Sequence, residues 1–430
     1  MGSISLAISF VLLALLHCQG FHLKLISPES SQSPFYAENI SEIQNVNRGF
    51  EITRAGRGKT KPNITAVPLN YSSSKYITPR LEYFRSDYVA VIGFGTPVKE
   101  YYLIIDTGSD ITWIQCEGCH PCFPQNQPGP FQPLQSRTAV LLPTRHRFCN
   151  GRGIHRENND CRFRARYADE SVAEGLMLMD MITSHSSLSQ ERQTVSNFAF
   201  GCGLSNSNFE FEEGNKIAGI LGLGFSDVSL LHQTSKSRFS YCLPRLSTPY
   251  TYLTLGDDAA IHVGRVQHTP ILPGDLSGGY VVELIDISIG NYRLGLPRDL
   301  FKESDGGGML IDTGTPFTRM HPFAYEVIVA YLRTYFSGLK PYDGRFGSVW
   351  ADLCYEKMEH MPEIPAITYH FDEANLVVLG KNSFIVTKEF FCLGMLTEGK
   401  DTILGSYQQK NIRFLFDLES RQVSFAPEDC

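Results

Sequence analysis

Ile104-Ile105-Asp106-Thr107-Gly108-Ser109-Asp110 and Leu310-Ile311-Asp312-Thr313-Gly314-Thr315-Pro316 carry one message twice. Each run places a carboxylate after two β-favouring apolar residues, then a small hydroxyl residue, a glycine and a second hydroxyl. A carboxylate at the end of an apolar strand is costly unless something satisfies it. Two of them, 206 residues apart (312 minus 106), suggest one shared site. Like charges about 3 Å apart cannot both ionise, so such a pair holds one proton and can activate a water molecule. Asp106 and Asp312 are therefore the candidate catalytic residues, one general base and one general acid. A lone Asp-Thr-Gly reads equally well as a turn; duplication in matching context removes that reading.

The neighbours have assignable tasks. Gly108 and Gly314 permit a tight turn that brings amide donors near the carboxylates. Thr107 and Thr313 each offer a donor and acceptors and can tie the two loops together. Ser109 and Thr315 can hydrogen-bond the outer carboxylate oxygens. A second repeated element follows: Gly219-Ile-Leu-Gly-Leu-Gly after the first motif and Thr402-Ile-Leu-Gly after the second. Glycine there permits close backbone approach.

With Tyr88-Val-Ala-Val-Ile-Gly-Phe-Gly-Thr-Pro, Phe200-Gly-Cys-Gly, Phe239-Ser-Tyr-Cys-Leu and Ile403-Leu-Gly-Ser-Tyr-Gln-Gln-Lys-Asn, the chain from about residue 86 to Cys430 resembles the pepsin-like aspartic proteases, most closely the plant nepenthesin-type group. The resemblance implies a mostly β, bilobal fold with a cleft between pseudo-repeated lobes, the apolar-Gly segments crossing behind the Asp loops, and hydrolysis of peptide bonds at acid pH without a cofactor or metal. It also places a tyrosine on a hairpin flap over the cleft. The match is Tyr167-Ala-Asp-Glu-Ser171, so Tyr167 is expected to reach toward Trp113 and exclude water. Ala168 and Glu170 stand where the group has glycines, and Glu170 is expected to add an acid near the substrate. Pro316 replaces a usual Thr or Ser and removes an amide donor.

Composition agrees. The 430 residues suffice for two lobes, and 37 glycines with 23 prolines suit many short strands and turns. The best helical stretch is Phe323–Phe336, just after Pro322. Val281–Ile289 and Ile412–Phe416 read as strands. The expected organisation is a signal peptide at 1–20, a propeptide at 21–80, an N-terminal lobe at 81–255 and a C-terminal lobe at 256–430.

Residues 4–16 form an apolar core, with small Cys18 and Gly20 before Phe21, the pattern of a secretory leader with no stable membrane anchor. Secretion to the extracellular space or apoplast is expected, with the vacuole as the alternative. Setting Cys18 aside leaves Cys116, Cys119, Cys122, Cys149, Cys161, Cys202, Cys242, Cys354, Cys392 and Cys430, an even set that reads as up to five disulfides. The rival is zinc at Cys116-x-x-Cys119-x-x-Cys122. In the nepenthesin-type group this region, about 116–161, is a cysteine-rich insert; that group's usual cysteine near Pro143-Thr144 is missing, so the pairing stays open.

Residues 21–80 hold eight Lys and Arg against four Glu, while the whole chain is at −7. A basic segment beside an acidic body reads as a propeptide that covers a carboxylate cleft until acid discharges it. Its sequons, Asn39, Asn63 and Asn70, are candidate glycosylation sites. The expected partners are protein or peptide substrates and this propeptide, with no nucleic acid, and the chain is expected to be a monomer. A second basic run, Arg145, Arg147, Arg152, Arg156, Arg162, Arg164 and Arg166 with His146 and His155, reads first as solvated surface and second as a dock for an acidic partner or cell-wall polyanion. A catalytically silent binder of the same fold and a lectin-like β-protein are the competing classes; neither needs both Asp loops.

Overall fold

Lys99–Asp106 starts exposed, alternates once and ends fully buried, because the strand leaves the surface and runs into the middle of a sheet. The structure, a computed structural model, describes residues 21–27 and 88–430 except 186–191, 212, 245–250, 263, 274–278, 304–306, 347–348 and 398. The expected signal peptide, most of the expected propeptide and the three sequons Asn39, Asn63 and Asn70 lie outside the described residues. Among those described, no helix is long and apolar enough to cross a membrane.

The architecture is mostly β. A 15-stranded sheet joins both halves of the chain. Its one end carries Gln267–Pro270, Gln422–Pro427 and Ile412–Asp417 from the C-terminal half, followed by Arg238–Cys242 and Thr251–Leu255. The far end is built from Arg192–Ser207, Val172–His185, Asp160–Arg166 and Ile154–Glu157. Smaller sheets complete the C-terminal lobe, one of them Tyr280–Val282, Met309–Ile311, Ile403–Leu404, Thr318–Arg319 and Met395–Leu396 in that order.

The duplicated motif is a duplicated topology. Ile217–Gly222 runs parallel to Lys99–Asp106, with Gly222 opposite Asp106, and antiparallel to Trp113–Gln115. Ile403–Leu404 likewise runs parallel to Met309–Ile311 and antiparallel to Arg319. Both crossings depend on a missing side chain. A Cβ at Gly219 would sit 2.0 Å from the Trp113 carbonyl oxygen, and one at Gly405 would sit 2.5 Å from the Phe317 carbonyl carbon.

Two expectations need adjustment. The helix is Pro322–Tyr335 with proline in its first turn, burying Ala324, Tyr325, Ile328, Val329 and Leu332 on one face. The single strand read over Val281–Ile289 is two, Tyr280–Val282 and Leu284–Ile289, and they enter different sheets. The break falls at Glu283, between the two strands.

A larger difference concerns the start of the basic leader. Phe21–Ile26 is a strand between Thr251–Leu255 and Val89–Phe94, with Leu23 and Leu25 wholly buried. These six residues belong to the sheet beneath the lobes, not to a cover over the cleft. Alternation of Phe21, Leu23 and Leu25 explains the placement; net charge could not show it.

All ten cysteines among the described residues pair: Cys116–Cys202, Cys119–Cys122, Cys149–Cys161, Cys242–Cys430 and Cys354–Cys392. The zinc-like triplet is split, since Cys116 takes its partner 86 residues away and Cys119 takes Cys122.

Candidate active site

Asp106 ends its strand, Asp312 directly follows the equivalent one, and the two meet at the floor of the cleft, each less than a tenth exposed. The threonines that follow lock the loops reciprocally. Thr107 Oγ1 donates to the Ile311 carbonyl at 2.9 Å and accepts from the Thr313 amide at 3.0 Å. Thr313 Oγ1 donates to the Ile105 carbonyl at 2.9 Å and accepts from the Thr107 amide at 3.2 Å. Both threonines are fully buried, so all four bonds sit out of water, where breaking one strands a polar group.

The glycines serve both aspartates. Gly108 N donates to Asp106 Oδ1 and Gly314 N to Asp312 Oδ1, each at 2.9 Å. A Cβ on Gly314 would lie 2.7 Å from Asp106 Oδ1, and one on Gly108 would lie 3.1 Å from Asp312 Oδ1. Each glycine therefore keeps clear the approach of the opposite carboxylate. Thr315 Oγ1 donates to Asp312 Oδ2 at 2.6 Å. Ser109 is less well placed: its hydroxyl is near enough to favour the Asp106 carboxylate, yet its Oγ is buried without a well-formed hydrogen bond. Burial, and then the charge of Asp312, push the Asp106 carboxyl above the usual carboxylate range, against the pull of Ser109 and the Gly108 amide.

A further pair was not singled out in the sequence. Thr112 Oγ1 accepts from the Gly222 amide and Thr318 Oγ1 from the Gly405 amide, both at 3.2 Å. Each threonine lies six residues after its aspartate and fastens the crossing strand beneath it. Aligning the two motifs beyond their first four residues reveals the match. Gln409 adds a support, donating to the Asp312 carbonyl at 3.1 Å and accepting from the Tyr241 hydroxyl at 2.6 Å.

The hairpin Asp160–Arg166 and Val172–His185 leans over this floor. Its turn closes through Tyr167 N to the Ser171 carbonyl at 2.9 Å, and Trp113 Nε1 donates to the Tyr167 hydroxyl at 2.6 Å. Trp113 is itself fixed among Phe123, Phe163 and Phe209. Of the two residues standing in for glycine, only Glu170 adopts a left-handed conformation, at φ 63°. Its side chain is exposed and does not line the cleft, contrary to expectation, because the turn directs Asp169 inward to Ser171 and leaves Glu170 outside. The Pro316 carbonyl accepts from the Tyr407 amide at 2.9 Å.

The basic run is not one surface. Arg162 pairs with Glu157 at 3.2 Å, and the Arg147 guanidinium lies 4.7 Å over the Phe148 ring. Arg152, Arg164 and Arg166 line the cleft, joined at its floor by buried Arg319.

Fold and floor define the class, and comparison places the chain within it. Residues 88–257 match the family model described as Xylanase inhibitor N-terminal, and residues 279–427 the one described as Xylanase inhibitor C-terminal. Aspartic proteinase nepenthesin-2 of Nepenthes gracilis is 30% identical over 406 residues, covering 91% of this chain and 89% of that protein. Aspartyl protease family protein 2 of Arabidopsis thaliana is 31% identical over 385 residues, covering 86% of this chain and 76% of that one. Among solved structures, edgp aligns with a TM-score of 0.64 at 20% identity, over 80% of this chain and 92% of that one, a likeness of fold. The chain belongs to the pepsin-like plant aspartic proteases, the group of the nepenthesins, and is an aspartic-type endopeptidase acting on peptide bonds.

Proposed function

We propose that Asp106 and Asp312 form the catalytic dyad of an acid endopeptidase, with the shared proton resting on Asp106 and Asp312 acting as the base on a bound water. The reciprocal grip of Thr107 and Thr313 carries this reading, because it forces two carboxylates into one buried site where one must stay protonated. Burial and then the charge of Asp312 favour the protonated form of Asp106, and Thr315 and Gly314 donate to Asp312. Tyr167, held by Trp113, closes over the scissile bond and limits water.

The same reading makes the protein a secreted zymogen that acts as a monomer. The apolar start, the ten paired cysteines and the sequons at Asn39, Asn63 and Asn70 support it. The family models' descriptions name inhibitors, so a binder of the same fold is the alternative. Purified protein incubated with a peptide library near pH 4, with and without pepstatin, separates the two. Pepstatin-sensitive cleavage is expected, lowered by roughly 10²–10⁴-fold in Asp312→Asn. Full activity in that variant would sink the dyad assignment.

A further inference from the structure

The sequence between Asp160 and Arg166 sets three arginines at alternate positions, 162, 164 and 166, on one strand of the hairpin. Arg162 is absorbed by Glu157, and Arg164 faces Glu174 across the ladder at 2.9 Å. Arg166 lies opposite Val172 and, among the described residues, has no carboxylate partner. Arg152, from the loop before Ile154–Glu157, is likewise exposed and unpaired. Both line the cleft beside the dyad, and Arg152 together with Asp110 also borders an adjoining cavity.

The cleft's charged groups decide what these two guanidiniums face. Besides the dyad, its acids are Asp110 and Asp169, and both are engaged: Asp110 Oδ1 accepts from the Ser226 amide at 2.9 Å, and Asp169 Oδ1 from the Ser171 amide at 3.0 Å. The remaining cations are Arg164, already paired, and Arg319, buried at the floor. His232 and Arg421 line the adjoining cavity. The cleft floor, about 220 Å³, and the adjoining cavity, about 480 Å³, share Arg152 and Asp110 in their walls, so a peptide that extends from one into the other would pass Arg152. None of the arginines figures among the charges acting on Asp106. They stand on the walls, where substrate side chains pass.

We propose that Arg166 on the hairpin and Arg152 at the shared mouth select peptides carrying Asp or Glu close to the scissile bond. The inference rests on the endopeptidase reading of the cleft and specifies its substrate class. A guanidinium offers a carboxylate two parallel N–H donors, and the cleft walls displace the water that would screen the pair. An acidic substrate side chain gives each arginine the partner it lacks; a lysine would meet only repulsion.

The test uses peptides differing only by Glu, Gln or Lys at successive positions flanking one cleavage site. At low salt and about pH 5, kcat/KM is expected to favour Glu over Gln about fivefold at the position facing each arginine, with the gain mostly in KM. The ratio should fall as salt rises. It should also fall as pH drops below about 4.3, where a glutamate side chain protonates. Arg166→Gln and Arg152→Gln should each bring the ratio toward one at a different position, and Arg166→Lys should restore part of it. Arg156→Gln, from the same run but outside the cleft, should leave rate and ratio as they were. Failure to cleave any peptide would end the endopeptidase reading and this inference with it. Cleavage with a Glu-to-Gln ratio of one, or a ratio indifferent to both arginine variants, would overturn the inference alone. So would arginine-dependent binding of polygalacturonate with peptide selectivity unchanged, which would reassign the arginines to a cell-wall polyanion.

Discussion

At the scale of single residues the site couples chemistry to stability through one proton. The Asp106 carboxyl is pushed up in the folded protein by burial and by Asp312. In the unfolded chain it titrates near the ordinary value, about 3.9. The folded state therefore binds the proton more tightly. The stability this confers is fully present below the unfolded value and is lost as pH rises through the native one. Thermal melts of purified protein should show Tm falling from about pH 4 toward neutrality. Asp106→Asn, which cannot titrate, should flatten that slope and melt a few degrees higher at neutral pH. An identical slope in the variant would contradict the assigned direction. The meeting of the two Asp-Thr-Gly loops was legible because the motif occurs twice. Thr112 and Thr318 were not, because a lone threonine after an apolar residue resembles any strand position. Their bonds to Gly222 and Gly405 exist only once the crossing strands are in place. Ser109 shows the opposite limit: its position in the motif matches Thr315, but the local turn leaves its hydroxyl poorly aimed.

At the scale of the element, the hairpin turn separates two substitutions that look alike in sequence. Glu170 pays for a left-handed backbone and Ala168 does not. Glu170→Gly should stabilise the protein by about 0.5 kcal/mol, and Ala168→Gly should cost about as much through added freedom of the unfolded chain. Urea titrations of the two variants check the opposite signs. Tyr167→Ala should lower kcat at least tenfold while leaving the unfolding free energy from urea titration within about 1 kcal/mol, since the tyrosine is only half-buried at a hairpin tip. Tyr167→Phe should sit between, because it keeps the ring against Phe209 and loses the bond to Trp113. Unchanged turnover in Tyr167→Ala would mean the hairpin does not gate the cleft. Sequence located this hairpin by its tyrosine but misjudged where its acid points. The pattern Tyr-Ala-Asp-Glu-Ser does not say which of its five residues turns left-handed.

At the scale of the whole molecule, Phe21–Ile26 is the element whose meaning the sequence hid. Read by charge, it belonged with a cover for the cleft; read by alternation, it is a buried strand of the sheet that unites the lobes. A gene encoding the chain from residue 81 onward lacks that strand and exposes the edges of Thr251–Leu255 and Val89–Phe94. Such a truncation should yield little soluble protein. Protein folded with the leader and then cut near residue 80 should retain the 21–26 segment as a bound fragment, or fill its place with another strand. Mass spectrometry of acid-treated enzyme, native and denatured, checks this; a well-folded, active product from the truncated gene would refute it. The paired crossings behind the two Asp strands, by contrast, were anticipated, since a repeated motif demands a repeated framework.

The bond between Cys242 and Cys430 fastens the last residue of the chain to a strand of the N-terminal half, joining cysteines 188 positions apart and closing a ring that takes in the entire C-terminal lobe. A protein-digesting enzyme lives among proteases, its own copies included. A cut anywhere in the connector between the lobes turns one chain into two, but the pieces stay tethered and the paired aspartates stay in register. Wear of this kind shortens the polypeptide on a reducing gel without dismantling the machine.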